Sequence, residues 1–371
     1  MTSSTRTRAL PLGMALAGAL ALSACGAVNE QPGFAAGGNG GGGDQLSGTL
    51  NGAGSSAQQA AMQGWTAGFS LLQPDVTVNY DPVGSGGGRE QFLAGGVDFA
   101  GSDSALDDDE LTQAEERCSD AGVFEMPNYI SPIAVIYNLE GVDELNLSPE
   151  TVAGIFAQKI TTWNDPAIAE DNLDADLPDT AITPVNRADD SGTTKNFTEY
   201  LSATAGNVWT HEPDGLWPVK GGEAAQGTSG VIQAVGAGNG TIGYADLSQA
   251  GDLSVAKIKV GEEYVEPTPA AAAAVVEASD QVDGRGDYDF AIDIARDTDD
   301  PSQYPVVLVS YHIGCVRYED QEKADLVKAF FGYVVSQQGQ GAAADAAGSA
   351  PISDVLREES QTAVDAITAA G

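Results

Sequence analysis

A chain of 371 residues, 42% hydrophobic and only 19% charged, is long enough to bury more than one sizeable core. Its formal net charge is −38, from 54 acids against 16 lysines and arginines. That balance argues against a nucleic-acid partner, because a phosphate backbone needs a basic footprint. The same field repels free anions, so any anion site here must win by local hydrogen bonds, helped by screening beyond about 8 Å.

Residues 1–24 read as a signal peptide. Arg6 and Arg8 form a positive start, and residues 9–22 form an apolar run too short for a stop-transfer helix. The run ends in Leu22-Ser23-Ala24-Cys25, which resembles the lipobox of bacterial lipoproteins and implies lipid on the Cys25 sulfur. The alternative is a plain secretory signal with an incidental cysteine. Residues 25–45 read as a lipid-anchored flexible linker, rich in Gly and Ala. Its Gly38-Asn39-Gly40-Gly41-Gly42-Gly43 matches G-x-G-x-x-G but follows no strand, so it carries no dinucleotide signal. No other stretch has the length and apolarity of a membrane span. Beyond Cys25 only Cys118 and Cys315 remain. In an exported chain an even pair favours a disulfide over two buried thiols, and a disulfide would put both in one domain.

The folded part opens with a β–α–β–α–β rhythm. Leu46 to Asn51 reads as a strand, followed by Gly52-Ala53-Gly54-Ser55-Ser56 and a helix with Met62, Trp65, Phe69 and Leu72 on one stripe. Val76 to Tyr80 reads as the next strand, and Gly84-Ser85-Gly86-Gly87-Gly88 opens a short helix with Phe92 and Leu93. Val97 to Ala100 is the third strand, with Gly101-Ser102-Asp103-Ser104 after it. The rhythm predicts a largely parallel sheet, whose ligands bind past the carboxyl ends of strands. Ser56, Ser85 and Asp103 all stand there. Further on, Pro132 to Tyr137, Thr241 to Tyr244 and Tyr304 to Tyr311 read as strands. Ala270 to Val276 and the stretch with Leu326, Phe330, Phe331 and Val334 read as helices. The Asp-rich segment from Asp280 to Asp300 reads as surface loops.

One segment concentrates oxyanion chemistry. Arg187-Ala188-Asp189-Asp190-Ser191-Gly192-Thr193-Thr194 runs into Phe197, Tyr200 and Leu201, whose spacing is helical. A helix starting at Ser191 exposes unpaired N–H groups and its positive dipole end. Hydroxyls lie beside those groups, Gly192 admits close backbone approach, and Arg187 can fork onto two oxygens. An ordinary capped helix with a surface arginine is the competing reading. Enzyme signals are scarce. The two histidines, His211 and His312, lack metal-pair spacing, no G-x-S-x-G is present, and no Gly-Lys-Ser or Gly-Lys-Thr completes a P-loop. Paired acids leave no sequence signature, so a carboxylate hydrolase stays open.

Four segments, in order, resemble the solute-binding protein of bacterial ABC-type phosphate transporters. They are Gly52-Ala53-Gly54-Ser55-Ser56, Val78-Asn79-Tyr80 through Gly84-Ser85-Gly86-Gly87-Gly88, Val97-Asp98-Phe99-Ala100-Gly101-Ser102-Asp103, and Arg187-Ala188-Asp189-Asp190-Ser191-Gly192-Thr193. Ile160-Thr161-Thr162-Trp163-Asn164-Asp165 and Ile242-Gly243-Tyr244 are similar too, and the likeness spans about residues 46–345. It implies an α/β, two-domain periplasmic-binding-protein clamp of type II with the ligand between domains. Residues 46–129 plus 306–371 would form one domain and residues 130–305 the other, with hinge strands near residues 127–133 and 303–307.

The resemblance also implies the site. Ser56 and Ser85 would offer hydroxyls and helix-start N–H groups, and Asp103 would accept the proton of a phosphate oxygen. Arg187 would fork onto two oxygens with Asp189 orienting it, and Ser191, Gly192 and Thr193 would complete the shell. The family often has Ala-Thr-Phe-Pro where this chain has Ser55-Ser56-Ala57-Gln58, so Ser55 and Ser56 both remain candidates for the first contact. The expected protein is a receptor, not an enzyme, with no cofactor and no metal. Its partners would be inorganic phosphate, an ABC permease and, through Cys25, the outer face of the bacterial cell membrane. The alternatives are a receptor for another oxyanion, such as sulfate or molybdate, and a surface-anchored phosphatase.

Overall fold

The computed structural model describes residues 45–370. The leader, the Cys25 anchor and most of the tether therefore lie outside the described residues. The frame is a nine-stranded sheet. Its strands are β1 (Ser47–Gly54), β2 (Asp75–Asp81), β3 (Phe99–Ser102), β4 (Val123–Asn138), β5 (Thr183–Arg187), β6 (Glu223–Ala225), β7 (Thr241–Asp246), β8 (Ser254–Val255) and β9 (Val307–Cys315). Its flanking helices include α1 (Gln59–Leu72), α2 (Ser85–Leu93), α3 (Asp108–Cys118), α4 (Gly192–Ala205), α5 (Gly227–Ala237), α6 (Pro269–Glu277) and α7 (Gln321–Val335).

The strand order is β2-β1-β3-β9-β4-β7-β5-β6, with β8 also on β4. Pairing is parallel at both ends, β2-β1-β3 and β7-β5-β6, as the β–α–β rhythm predicts. The middle is antiparallel, through β3-β9, β9-β4 and β4-β7, so the expected largely parallel sheet is in fact mixed. The cause is the long strand β4. Its stretch from Val123 to Pro132 pairs with β9, and its stretch from Ile133 to Asn138 pairs with β7. Together with β9, which pairs with β3, it thereby joins the two parallel ends. All of β9, and all of β4 except its last residue, is buried, which matches the apolar runs at Pro132 to Tyr137 and Val306 to Val309.

Helix α1 buries Ala61, Met62, Trp65 and Phe69 and leaves Leu72 at its exposed end. Trp65 meets His312 edge-on, and Phe99, Phe330 and Phe331 pack around the same imidazole. Cys118, closing α3, is bonded to Cys315, closing β9, across 197 positions of sequence. Two strand readings move by a few residues. The third strand is Phe99–Ser102 and the last is Val307–Cys315. The reading of residues 280–300 as surface loops needs correction. Asp289 and Arg296 are buried there. Arg285 pairs with Glu125 and Asp289, and Arg296 donates to Glu199 at 2.8 Å. Charge was read as solvation, and the partners lie up to 160 positions away.

Candidate functional site

The glycines after the first strands set the geometry. Gly54 ends β1 at φ +147°, and a Cβ there would overlap the Gly101 carbonyl of β3. Only glycine lets the two strand ends come this close. Ser55 then donates its N–H to Gly101 O at 2.8 Å, and its hydroxyl accepts from Ala57 N at 3.0 Å, turning the chain into α1. Ser85 opens α2 and accepts from Asp103 N at 3.1 Å. Ser191 caps α4, accepting from Thr194 N at 3.2 Å. At Gly192 a Cβ would stand 2.7 Å from Ser85 Oγ and 2.8 Å from Asp103 Cβ, so the start of α4 lies directly against Ser85 and Asp103.

These contacts join the two ends of the sheet. Thr193 donates its hydroxyl to Asp103 Oδ2 at 3.2 Å, and Asn196 donates to the Asp103 carbonyl at 2.6 Å. Gly86 N donates to Asp190 O at 3.3 Å. Ser56 Oγ lies 3.0 Å from Thr228 Oγ1 and accepts from Thr228 N at 3.1 Å, at the start of α5. Gln249 donates to the Ser56 and Ala57 carbonyls. Four helix starts therefore gather around Asp103 and Arg187, each with N–H groups that the helix itself cannot satisfy.

Arg187 ends β5 and is buried. Its Nε donates to Asp189 Oδ1 at 2.9 Å and its Nη2 to Asp189 Oδ2, a two-point pairing that fixes the guanidinium plane. Asp189 is itself fixed by Gly227 N at 3.0 Å. Tyr244 braces the segment from β7. Its ring stacks on Phe197 at 4.4 Å and its hydroxyl lies 2.8 Å from Thr194 Oγ1.

Asp103 is 3% exposed and makes no ion pair among the described residues. Burial pushes its carboxyl above the usual aspartate range. The hydroxyls of Ser310, Ser55 and Thr193, together with the charge of Arg187, pull it back. Ser310, on β9, gives the shortest of these bonds, 2.6 Å to Oδ1. The site thus offers one arginine already paired to a carboxylate, one buried carboxylate that accepts, and a surplus of neutral donors. Among the described residues no group of three or more His, Cys, Asp or Glu side chains is arranged to hold a metal ion.

A family described as the PBP superfamily domain matches residues 39–338. The phosphate-binding protein PstS 3 of Mycobacterium tuberculosis (strain ATCC 25618 / H37Rv) is 37% identical over 369 residues, covering 96% of this chain and 97% of that protein. The PstS 2 protein of the same strain is 33% identical, covering 95% and 96%. The chain belongs to the PstS family of phosphate-binding proteins. Solved structures share the family fold. A high-affinity periplasmic phosphate-binding protein, PfluDING, solved with phosphate, gives a TM-score of 0.68 at 22% identity, covering 85% of this chain and 93% of that one. A phosphate-binding protein from Stenotrophomonas maltophilia gives 0.62 at 20% identity, covering 85% and 94%.

All eight residues that the sequence reading proposed for the ligand come together: Ser56, Ser85, Asp103, Arg187, Asp189, Ser191, Gly192 and Thr193. Thr228, Asn196, Tyr244 and Ser310 were not foreseen as parts of this site. Thr228 had a usable signal, since Gly227-Thr228-Ser229 repeats the Gly-hydroxyl helix start of Gly192-Thr193. Ser310 sits in an apolar strand and gives no local sign.

Proposed function

We propose that this protein captures inorganic phosphate between the helix starts and hands it to the membrane-embedded part of an ABC importer. One observation carries the reading: a buried, acceptor-only carboxylate, Asp103, faces neutral N–H and hydroxyl donors and Arg187. That combination suits a tetrahedral oxyanion that still carries a proton. Phosphate near neutral pH meets the requirement, whereas sulfate does not. Ser56, Ser85, Ser191, Gly192 and Thr193 supply the donors, Arg187 forks onto two oxygens, and Asp189 holds it in plane. The PstS relatives, whose names specify phosphate, support this choice.

The same reading includes a two-domain clamp of residues 46–129 plus 306–371 against residues 130–305, hinged where β4 and β9 run from one end of the sheet to the other. Its support is that every contact from Ser56, Gly86 or Asp103 to Thr228, Asp190, Thr193 or Asn196 crosses that division. The proposal also places a lipid on Cys25, supported by Leu22-Ser23-Ala24-Cys25. Mass spectrometry of membrane-extracted protein tests the anchor, and an unmodified N-terminal Cys25 refutes it. Calorimetric titration with phosphate, sulfate and molybdate tests the ligand. Tight binding of phosphate alone is expected. Preference for either of the others overturns the reading.

A further inference from the structure

Asp103 needs a defined protonation state, and the residues around it raise the question of what sets that state. Burial alone drives a carboxyl toward its neutral form. Arg187 lowers Asp103 through its charge without pairing to it, and Tyr80 and Asp246 are further titratable groups facing it, so hydrogen-bond donors, Ser310, Ser55 and Thr193, do most of the work. Thr193 contributes at 3.2 Å, but from the far side of the proposed clamp, so its bond depends on closure. The Ser310 hydroxyl donates at 2.6 Å and comes from β9, the strand hydrogen-bonded to β3 just before Asp103. This bond needs no closure.

The strand geometry fixes that hydroxyl. Ser310 is wholly buried, and the register between β9 and β4 shifts immediately after it, between Ser310 and Tyr311. The extra residue of that bulge is Asn128 on β4, so β9 keeps its pleat, and the ladder with β3, which pairs Tyr311 with Ser102, brings Ser310 opposite Asp103 on one face. Ser310 Oγ takes Oδ1 of Asp103, while Thr193 takes Oδ2. The carboxylate is therefore held at one oxygen before any ligand arrives, leaving its other oxygen toward α4.

We propose that Ser310 is a positioning residue for anion selectivity: its hydroxyl pins Asp103 Oδ1 and keeps Asp103 an acceptor for the ligand's proton. The inference rests on the phosphate reading of the site. Ser310 does not touch the ligand. It acts by keeping Asp103 from carrying a proton of its own, which would turn the carboxyl into a donor and let it accept sulfate.

The test compares wild type, Ser310→Ala and Ser310→Thr by calorimetric titration with phosphate and sulfate from pH 5 to pH 8. Wild-type titration comes first. If wild type binds no phosphate, the functional reading fails, whatever Ser310 does. If it does bind, Ser310→Ala should bind phosphate more weakly, most so at the acid end of the range, because a larger share of Asp103 then carries a proton. Its phosphate-to-sulfate ratio should begin to fall at a higher pH than in wild type, because Asp103 then takes up its proton earlier. Ser310→Thr, which keeps the hydroxyl, should restore both the ratio and its pH profile. A Ser310→Ala protein with the wild-type ratio at every pH overturns the proposal, even if its affinity or melting temperature drops. So does a Ser310→Thr protein that folds yet behaves like Ser310→Ala.

Discussion

Tyr129 and Ser310 stand directly opposite each other on β4 and β9, and each holds a buried carboxylate. Ser310 donates to Asp103 at 2.6 Å, while the Tyr129 hydroxyl lies 3.1 Å from both oxygens of Asp246 at the end of β7. Directly paired residues of an antiparallel ladder point to the same face. The two central strands therefore carry, at one rung, a grip on an acid from each end of the sheet. The two acids are close enough to feel each other, for the charge of Asp103 adds to what raises Asp246.

That relationship makes a pH prediction. Burial lifts Asp246 from 3.8 to about 6, against the pull of its Ser248 and Ser131 hydrogen bonds. A raised aspartate binds its proton more tightly folded than unfolded, so its contribution is present on the acid side and lost as pH rises from about 4 to about 6. Asp246→Asn removes this dependence. Relative to wild type, the variant should gain about 3 kcal/mol between pH 3.5 and pH 7. Urea unfolding of both proteins across that range measures the difference. A constant difference would show that Asp246 titrates normally.

Asp103→Asn addresses the ligand. An asparagine amide can turn a donor toward the anion, which phosphate's protonated oxygen does not need and sulfate's bare oxygen accepts. An unmade bond to a buried charge costs more than the roughly 1–3 kcal/mol of a neutral group, so wild type should prefer phosphate by about 10²-fold or more. The variant should lose much of that preference in competition titrations. Selectivity equal to wild type would remove Asp103 from the role.

The disulfide is a stability device away from the anion. It joins the ends of α3 and β9 across 197 positions, and chain-entropy arguments give a loop of that length at most about 5 kcal/mol. The Cys118→Ser, Cys315→Ser double variant should lose about 2–5 kcal/mol in denaturant unfolding. Its phosphate affinity should stay within about twofold of wild type. A large affinity change would mean that the bond shapes the site.

The legible parts of this protein were local. Gly54, Ser85, Gly192 and the hydroxyls beside them announce helix starts, because a turn into a helix demands particular residue types within a few positions. The Cys118–Cys315 bond was legible from cysteine count and export alone. The mixed sheet was not, because antiparallel pairing of β4 with β9 joins segments some 180 positions apart and needs no signature in either. Arg285 and Arg296 were misread for the same reason, since nothing near them in sequence names Glu125 or Glu199 as partner. Ser310 was hidden by its surroundings. One hydroxyl within Val306-Val307-Leu308-Val309-Ser310-Tyr311 reads as a strand residue until Asp103 is seen beside it.

Closure is the remaining expectation. Ser56 meets Thr228, and Asp103 meets Thr193 and Asn196, only in an arrangement that brings the helix starts of both sheet ends together. A ligand that touches both sets binds this arrangement better than any open one and shifts the population toward it. Saturating phosphate should therefore lower the radius of gyration in solution scattering and raise the melting temperature, the linkage reaching about 2.7 kcal/mol at a hundred times Kd. Thr228→Val keeps the shape but removes the hydroxyl facing Ser56. Losing one neutral hydrogen bond of about 1 kcal/mol should weaken phosphate about fivefold. The bound protein should still reach the wild-type radius, because the ligand contacts proposed for Arg187 and the start of α4 would remain. If wild type binds phosphate to saturation with no change in radius, the two ends of the sheet do not move against each other and the clamp is wrong.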